Sequence, residues 1–227
     1  FFAYGDISFS RLVHLLEKAQ VGLSATSAIQ RPQSAELPHH DFLQEPHTVI
    51  IPKHTHQAHV MTGTQACNVH DARRMPLYLL NNILGGPGMN AKLNLALREH
   101  HGLVYTVESN LTTYSDLGYW SIYYGCDVHD IERCRRLVHR ELQHFIDRPL
   151  SPSQLRAAKK QIKGQIGVAC DNRENFALDF GKSYLHYGWL KNIQHLYEQI
   201  DEITSQQIQE VAQEYFADER LFTLIYQ

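Results

Sequence analysis

Two runs rich in Val, Ile, Thr, Tyr and Trp, 103–113 and 118–125, flank the polar break Tyr114-Ser115-Asp116. Residues that suit a pleated, half-buried surface, set either side of a short polar break, predict a β-hairpin. A lone hairpin is at best marginally stable in water, so the chain must add strands to it or cover it with helices. Both are available. Residues 48–51 and about 58–64 read as strands ahead of the hairpin, and 221–226 as a closing strand. Helices are predicted over 71–84, 91–100 and 173–187. Ile131, Cys134, Val138, Leu142 and Phe145 recur at steps of three and four, the apolar stripe of a further helix. Ser151-Pro152-Ser153-Gln154 and Thr204…Gln207 are capping boxes that each open a helix. Gly85-Gly86-Pro87-Gly88 ends the first helix, and Gly102 ends the second because glycine tolerates positive φ. Strands, helices, hairpin, several helices and a strand make an α+β fold: a largely antiparallel sheet with helices packed on one face.

The ends read differently. Phe1-Phe2-Ala3-Tyr4-Gly5-Asp6 looks like a strand closing in a turn, followed by a helix whose apolar face is Leu12, Val13, Leu15 and Leu16. Periodicity vanishes over 21–46, where Ser, Ala, Gln, Pro and His dominate and Pro32, Pro38 and Pro46 punctuate the chain. The expected organisation is a terminal strand and helix of a preceding domain (1–20), a linker (21–46) and a C-terminal domain (47–227).

Composition excludes several function classes. A chain of 227 residues can bury a core without disulfides or a structural metal. No apolar run approaches the roughly 20 residues that span a bilayer. A net charge of −3 and a pI of about 6.6 offer no basic field to nucleic acid, so nucleic acid is not an expected partner. Four cysteines without a C-x-x-C pair read as reduced, buried residues. They point to the cytoplasm, although an unlinked periplasmic domain has the same signature.

Fifteen histidines invite a metal reading. A zinc hydrolase takes about three protein ligands, often two histidines on one helical face, and neither H-E-x-x-H nor H-x-x-E-H occurs. His14…Glu17, His129…Glu132 and His195…Glu198 are near misses followed by Lys18, Arg133 and Gln199. His54, His56 and His59 form a denser tract, read as a polar edge before a strand, with a metal-binding role as the alternative. His39-His40 and His100-His101 are adjacent pairs that point different ways, and Glu141-x-x-His144 lacks the second copy a di-iron site needs. No complete metal site is expected. G-x-S-x-G, G-x-x-x-x-G-K-[ST] and G-x-G-x-x-G are also absent.

The stretch Leu80-Asn81-Asn82-Ile83-Leu84-Gly85-Gly86-Pro87-Gly88-Met89-Asn90-Ala91-Lys92-Leu93-Asn94-Leu95-Ala96-Leu97-Arg98-Glu99-His100-His101-Gly102-Leu103-Val104-Tyr105 is more specific. It resembles a signature of the pitrilysin/insulinase family of zinc metallopeptidases, in the branch of the processing peptidases. The resemblance continues through Tyr114–Gly118 and Ile122–Asp127, and Tyr4-Gly5-Asp6 resembles the end of that family's first domain. It implies two homologous α+β halves around a chamber, the first holding zinc through H-x-x-E-H. This chain resembles the second half, which holds no zinc and lends substrate-binding groups.

Carried over residue by residue, the resemblance implies that Arg98 and Tyr105 reach the peptide backbone beside the metal. Two fixed donors there would stabilise the charge that develops at the scissile carbonyl. Without the resemblance, Arg98 complements a helix C-terminus and Tyr105 is an ordinary strand residue. Gly85, Gly86 and Gly88 are either a substrate-contacting loop, as the resemblance implies, or a plain helix-to-helix turn. The implied function is the substrate-binding half of a zinc endopeptidase acting on peptides or unfolded segments. Its partners are a zinc-binding half in cis or a homologous subunit in trans, with the zinc cofactor on that other half and none in this chain. The alternative is an inactive structural or interaction subunit of a peptidase-like heterodimer.

Overall fold

The computed structural model describes residues 2–19, 48–53, 55–190 and 192–227. The expected linker over 21–46, the His39-His40 pair and His54 lie outside the described residues. The chain divides into two compact units, Phe1–Phe42 with Asn172–Lys191, and Leu43–Asp171 with Asn192–Gln227.

The second unit is built on one sheet. Its strands are β1 (Thr48–Ile51), β2 (Gln57–Ala66), β3 (Val104–Thr113), β4 (Gly118–Asp127) and β5 (Phe222–Tyr226), in the order β1-β5-β2-β4-β3. Only β1 and β5 pair in parallel; β2, β3, β4 and β5 pair antiparallel with their neighbours. The expected hairpin is β3–β4, and β3 forms an edge of the sheet.

Helices α2 (Arg74–Gly85), α3 (Ile131–Asp147), α4 (Pro152–Asp171), α6 (Ile193–Glu202) and α7 (Ser205–Tyr215) complete this unit. Alternate residues Ala58, Val60, Ile122, Tyr124 and Ile225 are buried on one sheet face with the helices. The expected stripe of α3 is buried in full. At the centre Trp120 packs its ring 4.3 Å from that of Phe216. Both capping boxes form: Ser151 Oγ accepts from Gln154 N–H while Gln154 Oε1 accepts from Ser151 N–H, and Thr204 and Gln207 do the same. All four cysteines are free thiols, and Cys67, Cys126 and Cys134 are buried.

The structure differs from the sequence expectation in four places, one of them α6 (Ile193–Glu202), a helix the sequence reading does not place. The helix expected from residue 71 starts at Arg74, because Asp71 accepts the Arg73 N–H (2.8 Å) and holds 71–73 as a turn. The helix expected over 91–100 is wound as a π-helix at Asn94–Glu99. Residues 2–4 form no strand among the described residues.

In the first unit, α1 (Phe9–Ala19) and α5 (Arg173–Tyr187) are the helices. Asn172 caps α5 by accepting from Asn175 N–H, and Gly188 at φ 70° ends it. Phe2 stacks on Phe180 at 5.4 Å and lies over Gly181, where a Cβ would meet its ring at 2.9 Å.

Candidate functional site

One surface of α2 is polar in sequence: Tyr78, Asn81, Asn82 and Gly85 follow i, i+3, i+4, i+7, opposite buried Leu77, Leu80 and Leu84. That polar face lies beside β3. Glycine is required where they meet, since a Cβ on Gly85 would stand 2.5 Å from the Ser109 nitrogen. A buried network fixes the approach. Ser109 Oγ donates to Asn81 Oδ1 (2.6 Å), and Trp120 Nε1–H is shared between Asn81 Oδ1 (3.1 Å) and Ser109 Oγ (3.0 Å).

After the glycine turn the chain returns through the π-helix. Leu93 and Leu97 are fully buried, and Asn94 Nδ2–H donates to the Met89 carbonyl at 2.8 Å. The His100 N–H reaches the Leu95 carbonyl, five residues back, at 2.9 Å. His101 Nδ1 lies 2.6 Å from the Ala96 carbonyl, which can only accept, so Nδ1 carries the proton. Gly102 at φ 60° then reverses the chain, its N–H bonding the Arg98 carbonyl at 2.8 Å. β3 begins with an irregularity between Val104 and Val107 that takes Tyr105 out of the ladder. Bulges of this kind re-aim a side chain.

The result is a groove of about 510 Å³. Its walls include Tyr78, the Gly85–Met89 turn, Arg98, Tyr105 and the β3 residues Glu108 and Asn110. All five residues singled out by the sequence, Arg98, Tyr105, Gly85, Gly86 and Gly88, line it together. The Arg98 guanidinium carbon lies 5.9 Å from the Tyr105 ring centroid. Both side chains are open to solvent, Tyr105 at 82%. Among the described residues, the acidic group within 4 Å of the Arg98 guanidinium is Glu99, at 3.8 Å too long for a hydrogen bond. Partial burial pushes the Tyr78 phenol pKa up from its ordinary value, although the residue as a whole is still 38% exposed.

Sequence reasoning did not pick out Tyr78, Asn81, Glu108 or Asn110. The polar spacing on α2 carried a signal for the first two. Glu108 and Asn110 had none, because the β3 irregularity reverses the alternation that would place them.

Chemically, the groove offers a guanidinium and phenols as donors beside an edge strand, whose outer N–H and C=O groups have no ladder partner among the described residues. Among the described residues, no group of three His, Cys, Asp or Glu side chains could hold a metal ion. Glu132 pairs with Arg135 (2.8 Å), His195 with Glu198 across an exposed 3.7 Å, and His59 Nδ1 with Tyr123 Oη at 2.8 Å. These donor sets do not fit zinc. No described helix is long and apolar enough to cross a membrane.

Fold and groove define an α+β domain with an open, donor-lined groove beside an edge strand. Residues 1–162 match the family described as the peptidase M16 inactive domain, and the chain belongs to that family. It is 28% identical over 165 residues to an uncharacterized zinc protease of Streptomyces coelicolor, covering 73% of this chain and 36% of that protein. It is 26% identical over 168 residues to the mitochondrial-processing peptidase subunit beta of Bos taurus, covering 71% and 34%. The chain thus spans about a third of the length of these curated relatives. A protease from Helicobacter pylori shares its fold at a TM-score of 0.84 and 18% identity, over 98% of this chain and 54% of that one. The metallopeptidase resemblance of residues 80–105 is therefore correct at the level of family and fold.

Proposed function

We propose that this domain is the substrate-binding half of a two-half zinc endopeptidase. Arg98 and Tyr105 donate to the backbone of a bound peptide, and the Gly85–Met89 turn and β3 hold the peptide extended. The observation that carries this reading is the convergence of all five residues on one groove beside an open strand edge. An edge strand binds a peptide through main-chain hydrogen bonds, without demanding one sequence. Arg98 then faces a carbonyl oxygen with few competing acids, and a fixed donor is worth most where negative charge grows during the reaction. Zinc, when bound by the other half, supplies the polarised water. This chain's residues bind the peptide, orient it and stabilise its carbonyl oxygen. The zinc-binding half precedes this domain on the same polypeptide, with 21–46 as linker, or comes as a homologous subunit; the names of the relatives accord with both arrangements.

The test is steady-state kinetics of the assembled peptidase. Arg98→Ala is expected to lower kcat by roughly 10²-fold, as for loss of an oxyanion donor, and Tyr105→Phe by about tenfold. Unchanged kcat in both variants would leave the interaction-subunit reading as the better one.

A further inference from the structure

The glycine turn is gripped at both ends by one helix. Asn82, in the last turn of α2, donates through Nδ2–H to Gln165 Oε1 at 2.8 Å. Asn90, just beyond the turn, donates through Nδ2–H to Gln161 Oε1 at 2.7 Å. Gln161 and Gln165 are four residues apart on α4, one helical turn, so both amides project from the same face. Between the two clamps there is little slack. A Cβ on Gly86 would stand 2.6 Å from the Asn82 carbonyl oxygen, and one on Gly88 would stand 2.5 Å from Asn90 Oδ1 and 2.9 Å from Gln161 Nε2.

The anchor helix is itself held. Ile162 is buried in the core at 1% exposure. Lys163 Nζ bonds both carboxylate oxygens of Asp201 on α6 (2.7 and 2.8 Å), and Lys159 Nζ bonds the Asp201 carbonyl at 2.8 Å. The Tyr197 hydroxyl donates to the Lys163 carbonyl at 3.2 Å. A plain helix-to-helix turn needs none of this. Its backbone already closes through Gly86 N–H to the Asn82 carbonyl and Ala91 N–H to the Gly88 carbonyl, each 3.0 Å.

We infer that Gln161 and Gln165 are positioning residues for the peptide groove. They fix the Gly85–Met89 wall before a peptide arrives, so that binding does not incur the entropy of ordering that turn. The inference rests on the substrate-groove reading above. Neither glutamine lines the groove. They act through Asn82 and Asn90, away from the donors Arg98 and Tyr105, so their loss weakens binding of substrate and transition state alike.

Gln161→Leu with Gln165→Leu, near-isosteric and without the amide, tests this in the assembled peptidase on an unstructured fluorogenic peptide. KM is expected to rise about five- to tenfold with kcat within about twofold, the mark of lost uniform binding. Hydrogen exchange at the backbone amides of Gly86, Gly88 and Met89 is expected to accelerate, while that of the β4 core amides stays unchanged. Exchanging one amide pair, Asn90→Gln with Gln161→Asn, keeps the summed side-chain length and should leave KM at the wild-type value. Arg98→Ala in the same assay separates the two claims. If Arg98→Ala lowers kcat while the glutamine variants leave KM unchanged, or lower kcat and KM together, the positioning role is overturned and the groove reading stands. If neither substitution changes either constant, the groove reading falls and takes this inference with it.

Discussion

The two faces of the central sheet are written on the same strands and differ in almost everything else. On one face Ala58, Val60, Ile122 and Tyr124 are fully buried under helices. On the other face, the intervening residues Met61 and Tyr119 are each 45% exposed, and His59 and Tyr123 are partly buried and hydrogen-bonded to each other. Side chains alternate along a strand, so a shift of one residue exchanges a core position for a surface position. Stability is concentrated on the helix-covered face. The open face and the β3 edge instead keep aromatics and donors accessible to solvent.

The sharpest way to break this comparison uses adjacent residues of β4. Trp120→Ala removes the largest buried side chain and a donor from the Asn81–Ser109 network, and is expected to cost about 3–5 kcal/mol in urea unfolding. Tyr119→Ala, one residue away, is expected to cost less than about 1 kcal/mol by the same measurement. Equal losses would erase the distinction between the faces.

The next effect lies where the helix layer meets the edge strand. Gly85→Val adds branched carbon within 2.5 Å of the Ser109 nitrogen and forces α2 and β3 apart. A melting curve should show a loss of about 1–3 kcal/mol, and peptide turnover should fall because the groove wall moves. Turnover unchanged at reduced stability would detach the glycine turn from the site.

The smallest effect belongs to the entry of the helix layer. The Arg73 guanidinium bonded to Asp71 holds the carboxyl below the usual carboxylate range, and Arg73 bridges on to Glu214 of α7. A lowered folded value gives stability that is present above the ordinary carboxylate pKa of about 4. It is lost as pH falls through the lowered value. Asp71→Asn should therefore destabilise by less than about 1 kcal/mol at pH 7, the pair being partly exposed. The difference from wild type should vanish in strong acid, and a gap that persists there would assign the effect to the turn's hydrogen bonds.

How much of this was legible in the sequence follows from how local each signal is. The hairpin, the α3 stripe and the capping boxes at Ser151 and Thr204 are decided within a few residues, and the structure forms each of them. The groove was legible in part. Arg98 and Tyr105 came from resemblance, and their seven-residue separation was sufficient because Gly102 reverses the chain between them. The π-helix was not legible, because Leu93, Ala96 and Leu97 would serve an α-helix equally well. Its winding is accompanied by bonds at its two ends, from Asn94 Nδ2–H to the Met89 carbonyl and from Leu103 N–H to the Leu97 carbonyl. Glu108 and Asn110 were hidden for a related reason. Counting alternation from Val104 puts Glu108 on the core side, but the irregularity before Val107 reverses it, so that Ser109 is buried and Glu108 is open. The grip of α4 on the glycine turn joins residues about 70 to 80 apart in the chain, and amide pairs leave no local pattern.

The central claim is that the peptide lies in the groove between the glycine turn and β3. The direct measurement is photo-crosslinking: a peptide substrate carrying a benzophenone at successive positions, bound to the assembled peptidase and mapped by mass spectrometry. Adducts are predicted within residues 78–89 and 105–110, and Arg98→Ala should weaken them. Adducts confined to α3, α6 or α7, with none in either segment, would contradict the account.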